Sequence, residues 1–212
     1  MKKLSISNLG WLVAGAMAVT MATGAFQGQA EKTAVVDIAK VVEDSDYGRQ
    51  NQDTFRQMKA SRESILEFMD VNRVMTIEQA DRFRELSLKP NLNAEEKASL
   101  ETLKREIQAS DAKYKELITK TNLSPEERNL MQEYVRRGQA TEDLAGRWFR
   151  EFTNELQAWA DQQKAESLKR ARTAIEATGK AGGYTIVFEV GVAPYGANDI
   201  TAEALKAMNA AR

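Results

Sequence analysis

The sequence predicts a mainly α-helical fold with a small β head, an α+β arrangement. A long antiparallel, coiled-coil-like helical arm leaves and returns to a small sheet built from both chain ends. Three observations point there. Two persuasive strand patterns stand about 150 residues apart, and nearly everything between them carries helical periodicity punctuated by helix-start signals. The composition leans the same way: 29% of the 212 residues are charged, 7% are aromatic and only 3 are Pro, which suits exposed helix better than a thick core.

The chain opens with Lys2 and Lys3, an apolar stretch over residues 9–26 and a small-residue ending, Gly28-Gln29-Ala30. That order is the signature of a secretory signal, with cleavage expected after Ala30. The apolar stretch approaches membrane-spanning length, but it is rich in Ala and Gly and a cleavage site follows directly. The expectation is a cleaved signal over residues 1–30, no stable membrane insertion afterwards, and a periplasmic location. Loss of both lysines leaves 28 basic against 31 acidic residues, so bulk attraction to nucleic acid or anionic lipid is not expected.

The first strand is Thr33-Ala34-Val35-Val36-Asp37-Ile38, in which Ala34, Val36 and Ile38 share a face. The second is Tyr184-Thr185-Ile186-Val187-Phe188-Glu189-Val190, with Tyr184, Ile186, Phe188 and Val190 on one face. Isolated strands are not stable, so the two are expected to meet in one sheet. Residues 31–38 and 180–212 are thus expected to form a discontinuous head, with Val36, Ile38, Ile186, Phe188 and Val190 as its candidate oligomerisation residues. Thr201 is placed to cap a short terminal helix.

Residues 39–179 read as the helical arm. Phe55, Met58, Ile65 and Met69 recur at heptad-like spacing on the outgoing helix, interrupted by Arg62. Thr76-Ile77-Glu78-Gln79, Asn93-Ala94-Glu95-Glu96 and Ser124-Pro125-Glu126-Glu127 carry the capping-box pattern. Leu100, Leu103, Ile107, Ser110, Tyr114 and Leu117 step by 3 and 4, the seam of a packed helix. Three helix starts within residues 76–138 predict a multi-helix insertion at the arm tip, closed by a helix stop at Gly138. A return helix then carries Leu144, Trp148, Phe149, Phe152, Leu156 and Trp159.

With no Cys and no His, the chain has no disulfide, thiolate, imidazole base or imidazole metal ligand. The carboxylate pairs Glu95/Glu96 and Glu126/Glu127 sit in first helical turns, where caps and the helix dipole account for them. No catalytic residue, metal or cofactor is expected, so this reading is of a protein that is not an enzyme. What remains is the apolar stripe of a thin arm. Phe55, Met58, Ile65, Met69, Trp148, Phe152 and Trp159 are either arm core or the surface that holds a nonpolar client.

The order of parts resembles the Skp/OmpH family of periplasmic chaperones. The resemblance rests on Ala34-Val35-Val36-Asp37 leading into a helix with Tyr47-Gly48-Arg49, and on Tyr184-Thr185-Ile186-Val187-Phe188. It continues through Val192-Ala193-Pro194-Tyr195-Gly196 and Asp199-Ile200-Thr201-Ala202-Glu203-Ala204-Leu205. It implies a homotrimer joined through the head, with helical arms around a cavity. There it would hold unfolded outer-membrane β-barrel proteins without ATP and prevent their aggregation. Two departures stand out. The mature chain is slightly acidic where the best-known members are strongly basic, and residues 76–138 match only in being helical. The rival expectation is a structural or adaptor coiled-coil protein of the envelope with one cognate partner and a fully buried stripe.

Overall fold

The computed structural model describes residues 32–211, so the expected signal and its cleavage after Ala30 lie outside the described residues. The elements run β1 (Thr33–Val36), α1 (Ile38–Asp44), α2 (Asp46–Val71), α3 (Ile77–Leu88), α4 (Ala94–Thr119), α5 (Pro125–Ala181), β2 (Ile186–Glu189) and α6 (Thr201–Ala210). They are mainly helical, with one small sheet made from the two ends of the chain, as the sequence predicts. The chain divides into two compact units, a sheet unit of residues 32–48 with 166–211 and a helical unit of residues 49–165. The sheet unit is larger than the expected head because α1 and the last stretch of α5 pack on the sheet's inner face.

In the sheet unit, β1 and β2 pair in parallel with Thr33 opposite Ile186 and Val35 opposite Phe188. On its other side β1 meets Asp199: the Val35 N–H donates to the Asn198 carbonyl at 2.8 Å and the Ile200 N–H to the Val35 carbonyl at 3.0 Å. Alternation along a strand sends Ala34 and Val36 to one face, where they pack with Val41, Ala171, Ala174, Ile175, Ile200, Ala204 and Met208. Ile38 lies past the strand, as the first residue of α1, half-buried against this core.

Two glycines show how local geometry shapes this unit. Gly183 has φ 68°, a left-handed conformation that costs a side-chain-bearing residue energy. It ends α5 with a Schellman pair, Tyr184 N–H to the Gly179 carbonyl and Gly183 N–H to the Lys180 carbonyl. Gly48 lies in the first turn of α2, just past its break from α1, where an added Cβ would stand 2.0 Å from the Val42 carbonyl oxygen. Ser45, fully buried, bridges that break by donating to Val42 and accepting from the Gly48 N–H.

Two local expectations are corrected. Gly138 does not stop a helix; it lies inside the 57-residue α5. A single interior glycine costs a helix roughly 1 kcal/mol, which the buried neighbours Tyr134 and Thr141 offset by packing. Thr201 does not cap α6, whose N-cap is Ile200 without a side-chain bond. Instead the Thr201 N–H donates to Asp199 Oδ1, and Thr201 Oγ1 accepts from the Asp37 N–H, tying α6 to the end of β1.

In the helical unit the three capping boxes form as their spacing predicts. Thr76 and Gln79, Asn93 and Glu96, and Ser124 and Glu127 each exchange hydrogen bonds with the other's backbone N–H. Around the starts so fixed, four helices enclose one core of Ile65, Met69, Met75, Ala80, Phe83, Ile107, Leu144, Trp148 and Phe152. A smaller cluster joins Val74, Leu117 and Tyr134. The turn between α2 and α3 is held from two sides. Asp111 on α4 accepts from the Arg73 N–H, and Thr141 on α5 donates to the Met75 carbonyl.

Candidate functional site

Two surfaces concentrate the features a binding protein can use, one in each unit. The first is the stripe of the helical unit. Ile65, Met69, Trp148 and Phe152 are buried in its core at 0–4% exposure, while Phe55, Met58 and Trp159 are half-buried. The two sets differ by position along α2 and α5. The first four meet α3 and α4, whereas Phe55 and Trp159 lie beyond those helices and stack on each other at 6.0 Å. Phe149 leaves the stripe and is 61% exposed, because one residue's step turns it about 100° around the helix from Trp148. It borders a groove between α2 and α5 lined also by Phe55, Arg62, Leu66, Phe152 and Leu156.

The stripe is roofed by charge. On α5, Trp148, Glu151, Phe152 and Glu155 recur at i, i+3, i+4 and i+7, so two aromatic rings and two carboxylates share one helix face. Arg84 of α3 binds Glu151 bidentately, at 2.6 and 3.0 Å, and reaches Glu155 at 3.6 Å. Its guanidinium lies 5.0 Å from the Trp148 ring centre and 4.9 Å from that of Phe152. From α2, Arg62 donates to Glu155 at 2.9 and 3.1 Å and lies 5.6 Å from the Phe152 ring. The Arg84 hydrogen bond holds the Glu151 carboxyl below its ordinary range, and Glu151 in turn raises Arg84. This network is absent from the sequence reading, although Arg62 interrupting an apolar seam and the acid pair beside two aromatics were its visible signs.

The second surface is the outward face of the sheet. Register puts Thr33, Val35, Ile186 and Phe188 on that face, and Val187 on the inner one. Val35 is covered by the loop after β2 at Gly196, but Ile186 and Phe188 remain 43% and 38% exposed. The same loop carries Val192 and Tyr195, which are more exposed still. Val190 is half-buried just past the strand, where its N–H donates to the Val36 carbonyl. Among the described residues the outer edge of β2 has no strand partner. Of the five head candidates, Ile186 and Phe188 therefore face solvent in the single chain, while Val36 is core.

In the acidic pairs, Glu96 and Glu127 are engaged by a neighbouring lysine and by their own helix caps. Glu96 is lowered first by Lys89 and then by the Asn93 N–H, and Glu127 first by Lys120 and then by the Ser124 N–H. Among the described residues, no group of three or more acidic, His or Cys side chains could hold a metal ion. No helix among them is long and apolar enough to cross a membrane.

A mainly helical chain whose two ends meet in a small sheet, with charge on its helices and an apolar outer sheet face, has the build of a binding protein. The family model described as outer membrane protein (OmpH-like) matches residues 32–208, and the chain belongs to this family. That membership supports a periplasmic chaperone-type role in general, in a family that is not enzymatic. No match to a curated protein or to a solved structure accompanies it.

Proposed function

We propose that this protein is an ATP-independent periplasmic holdase that binds unfolded outer-membrane β-barrel proteins and prevents their aggregation. It works as a homotrimer after cleavage behind Ala30. The observation that carries this reading is the family match over nearly the whole described chain. The geometry supports it in two ways. The outward sheet face, with Ile186, Phe188, Val192 and Tyr195, is apolar surface of the kind an oligomer covers. Phe55, Met58, Trp159 and the exposed Phe149 offer rings and a thioether to nonpolar client segments. Such a protein acts by mass action, lowering the free concentration of the unfolded client.

The test is aggregation suppression. Residues 31–212, titrated without ATP into a denatured outer-membrane barrel protein on dilution into buffer, should suppress light scattering and saturate near one trimer per client. A folded oligomer that suppresses nothing would refute the holdase.

Burial of Ile65, Met69, Trp148 and Phe152 favours a second reading, a structural or adaptor protein with one cognate partner. Quenching of Trp148 and Trp159 by a neutral solute separates the two. Tryptophans shielded with and without client support the spacer, and tryptophans that gain protection when client binds support the holdase.

A further inference from the structure

Only part of the stripe is open to a client, because Trp148 and Phe152 are shut away in the free chain. We infer that α3 is a lid over this stripe and that Arg84, with Arg62, is its salt-sensitive clasp. This rests on the client reading above and deepens it by naming what controls access to that site.

Three features carry the inference. α3 is only 12 residues long and lies between two short connections, residues 72–76 and 89–93; the first is pinned at Arg73 and Met75, so α3 lifts about that anchored turn. Its own apolar residues Ala80, Phe83 and Leu86 are buried, and Phe83 stacks on Phe68 at 4.3 Å, so lifting it uncovers the α3-facing side of a cluster of Phe68, Met69, Trp148 and Phe152 that α4 continues to cover from its own side. Bonds at Arg73, Met75 and Lys89 fix the two ends of α3, and its side-chain ion pairs to α5 are concentrated at Arg84. Arg84 joins both carboxylates of α5 and covers both rings, with its side chain 22% exposed. Arg62, 15% exposed, ties the second carboxylate from α2. The carboxylate partners Glu151 and Glu155 are open enough to solvent for added salt to screen these pairs, although less than fully exposed ones. Aromatic rings freed of their guanidinium roof are sites where a nonpolar or aromatic side chain of an unfolded polypeptide can stack.

The experiment uses the mature chain with two variants, Arg84→Gln and the double change R84M/E151L, at low and high sodium chloride. The second replaces the pair by apolar side chains of similar size, which commonly keeps or raises stability. Hydrogen exchange of the α3 amides is read by mass spectrometry, and quenching of Trp148 is read in a Trp159→Phe background. In the parent chain, high salt should speed α3 exchange and open Trp148 to quencher. Arg84→Gln should speed α3 exchange at low salt by about two- to fivefold, the loss expected for an ion pair whose carboxylate is half-exposed. R84M/E151L should hold α3 closed at both salt levels, and this arm stands even if Arg84→Gln folds poorly. Equal α3 exchange in the parent and R84M/E151L at both salts overturns the clasp. Client capture is measured beside exchange: it should rise in Arg84→Gln and fall in R84M/E151L. Altered exchange with unchanged capture keeps the clasp and overturns the client assignment of Trp148 and Phe152.

Discussion

The two units solve the problem of a small core in opposite ways. The helical unit closes on itself with large side chains, burying Ile65, Met69, Phe83, Trp148 and Phe152, and then ties its helices with ion pairs far apart in sequence. The sheet unit has no aromatic ring among its fully buried residues and mixes Ala34, Ala171, Ala174 and Ala204 with Val36, Val41, Ile175, Ile200 and Met208. Hydrogen bonds between chain ends hold it, such as Asp37 to Thr201 and Asp46 to Asn209. It leaves Ile186 and Phe188 uncovered beside an edge that is unpaired among the described residues. A self-contained unit supplies rigidity and surface; an incomplete one asks for a partner. On the proposed reading, association belongs to the sheet unit and regulated exposure to the helical unit.

The sharpest way to break that contrast is the double change Ile186→Ser with Phe188→Ser. Both side chains are on the outward face, so the helical signal in circular dichroism should be kept while light scattering reports a monomer. An unchanged oligomer would move the interface elsewhere. Next in size comes a pair of neighbours. Trp148→Ala opens a cavity in the helical unit and should cost about 3–5 kcal/mol in urea denaturation. Phe149→Ala, one residue on but exposed, should change stability by no more than about 0.5 kcal/mol. Similar costs at both positions would mean that the stripe is not packed as described.

A smaller effect tests the local frame. Thr76→Ala removes half of a capping box and should cost about 1 kcal/mol, read from the same urea curves. The smallest concerns acid. Glu151 is held below its ordinary value by Arg84, so its contribution is present above the unfolded carboxylate value, roughly 4.3. It is lost as pH falls through the lower folded value. The stability gap between the parent chain and Glu151→Gln should therefore be open at neutral pH and close as pH falls below about 4. Glu151 is half-exposed, so solvent screening keeps this gap narrow.

What was legible in the sequence was whatever its own neighbours determine. The capping boxes at Thr76, Asn93 and Ser124 formed because partners three residues apart meet as soon as a helix turns. The left-handed turn at Gly183 that ends α5 is equally local, a property of that residue's backbone. Gly138 looked alike in sequence but lay inside α5, because propensity is a weak prior that tertiary packing overrides. Strand alternation separated Ile186 and Phe188 from Val187, yet which set would face inward depended on how α1, α5 and α6 cover the sheet.

By itself, then, the sequence determined the helical character, the helix starts, the joining of both ends in one sheet and the apolar stripe, all products of short-range periodicity and local hydrogen bonding. Only the tertiary structure decided that four helices share one core, that Trp148 and Phe152 are buried while Phe149 is not, and that Arg84 meets Glu151. The physical reason is distance along the chain. Arg84 and Glu151 are 67 residues apart, and their meeting depends on the phase and register of separate helices. That register follows from packing the whole unit at once.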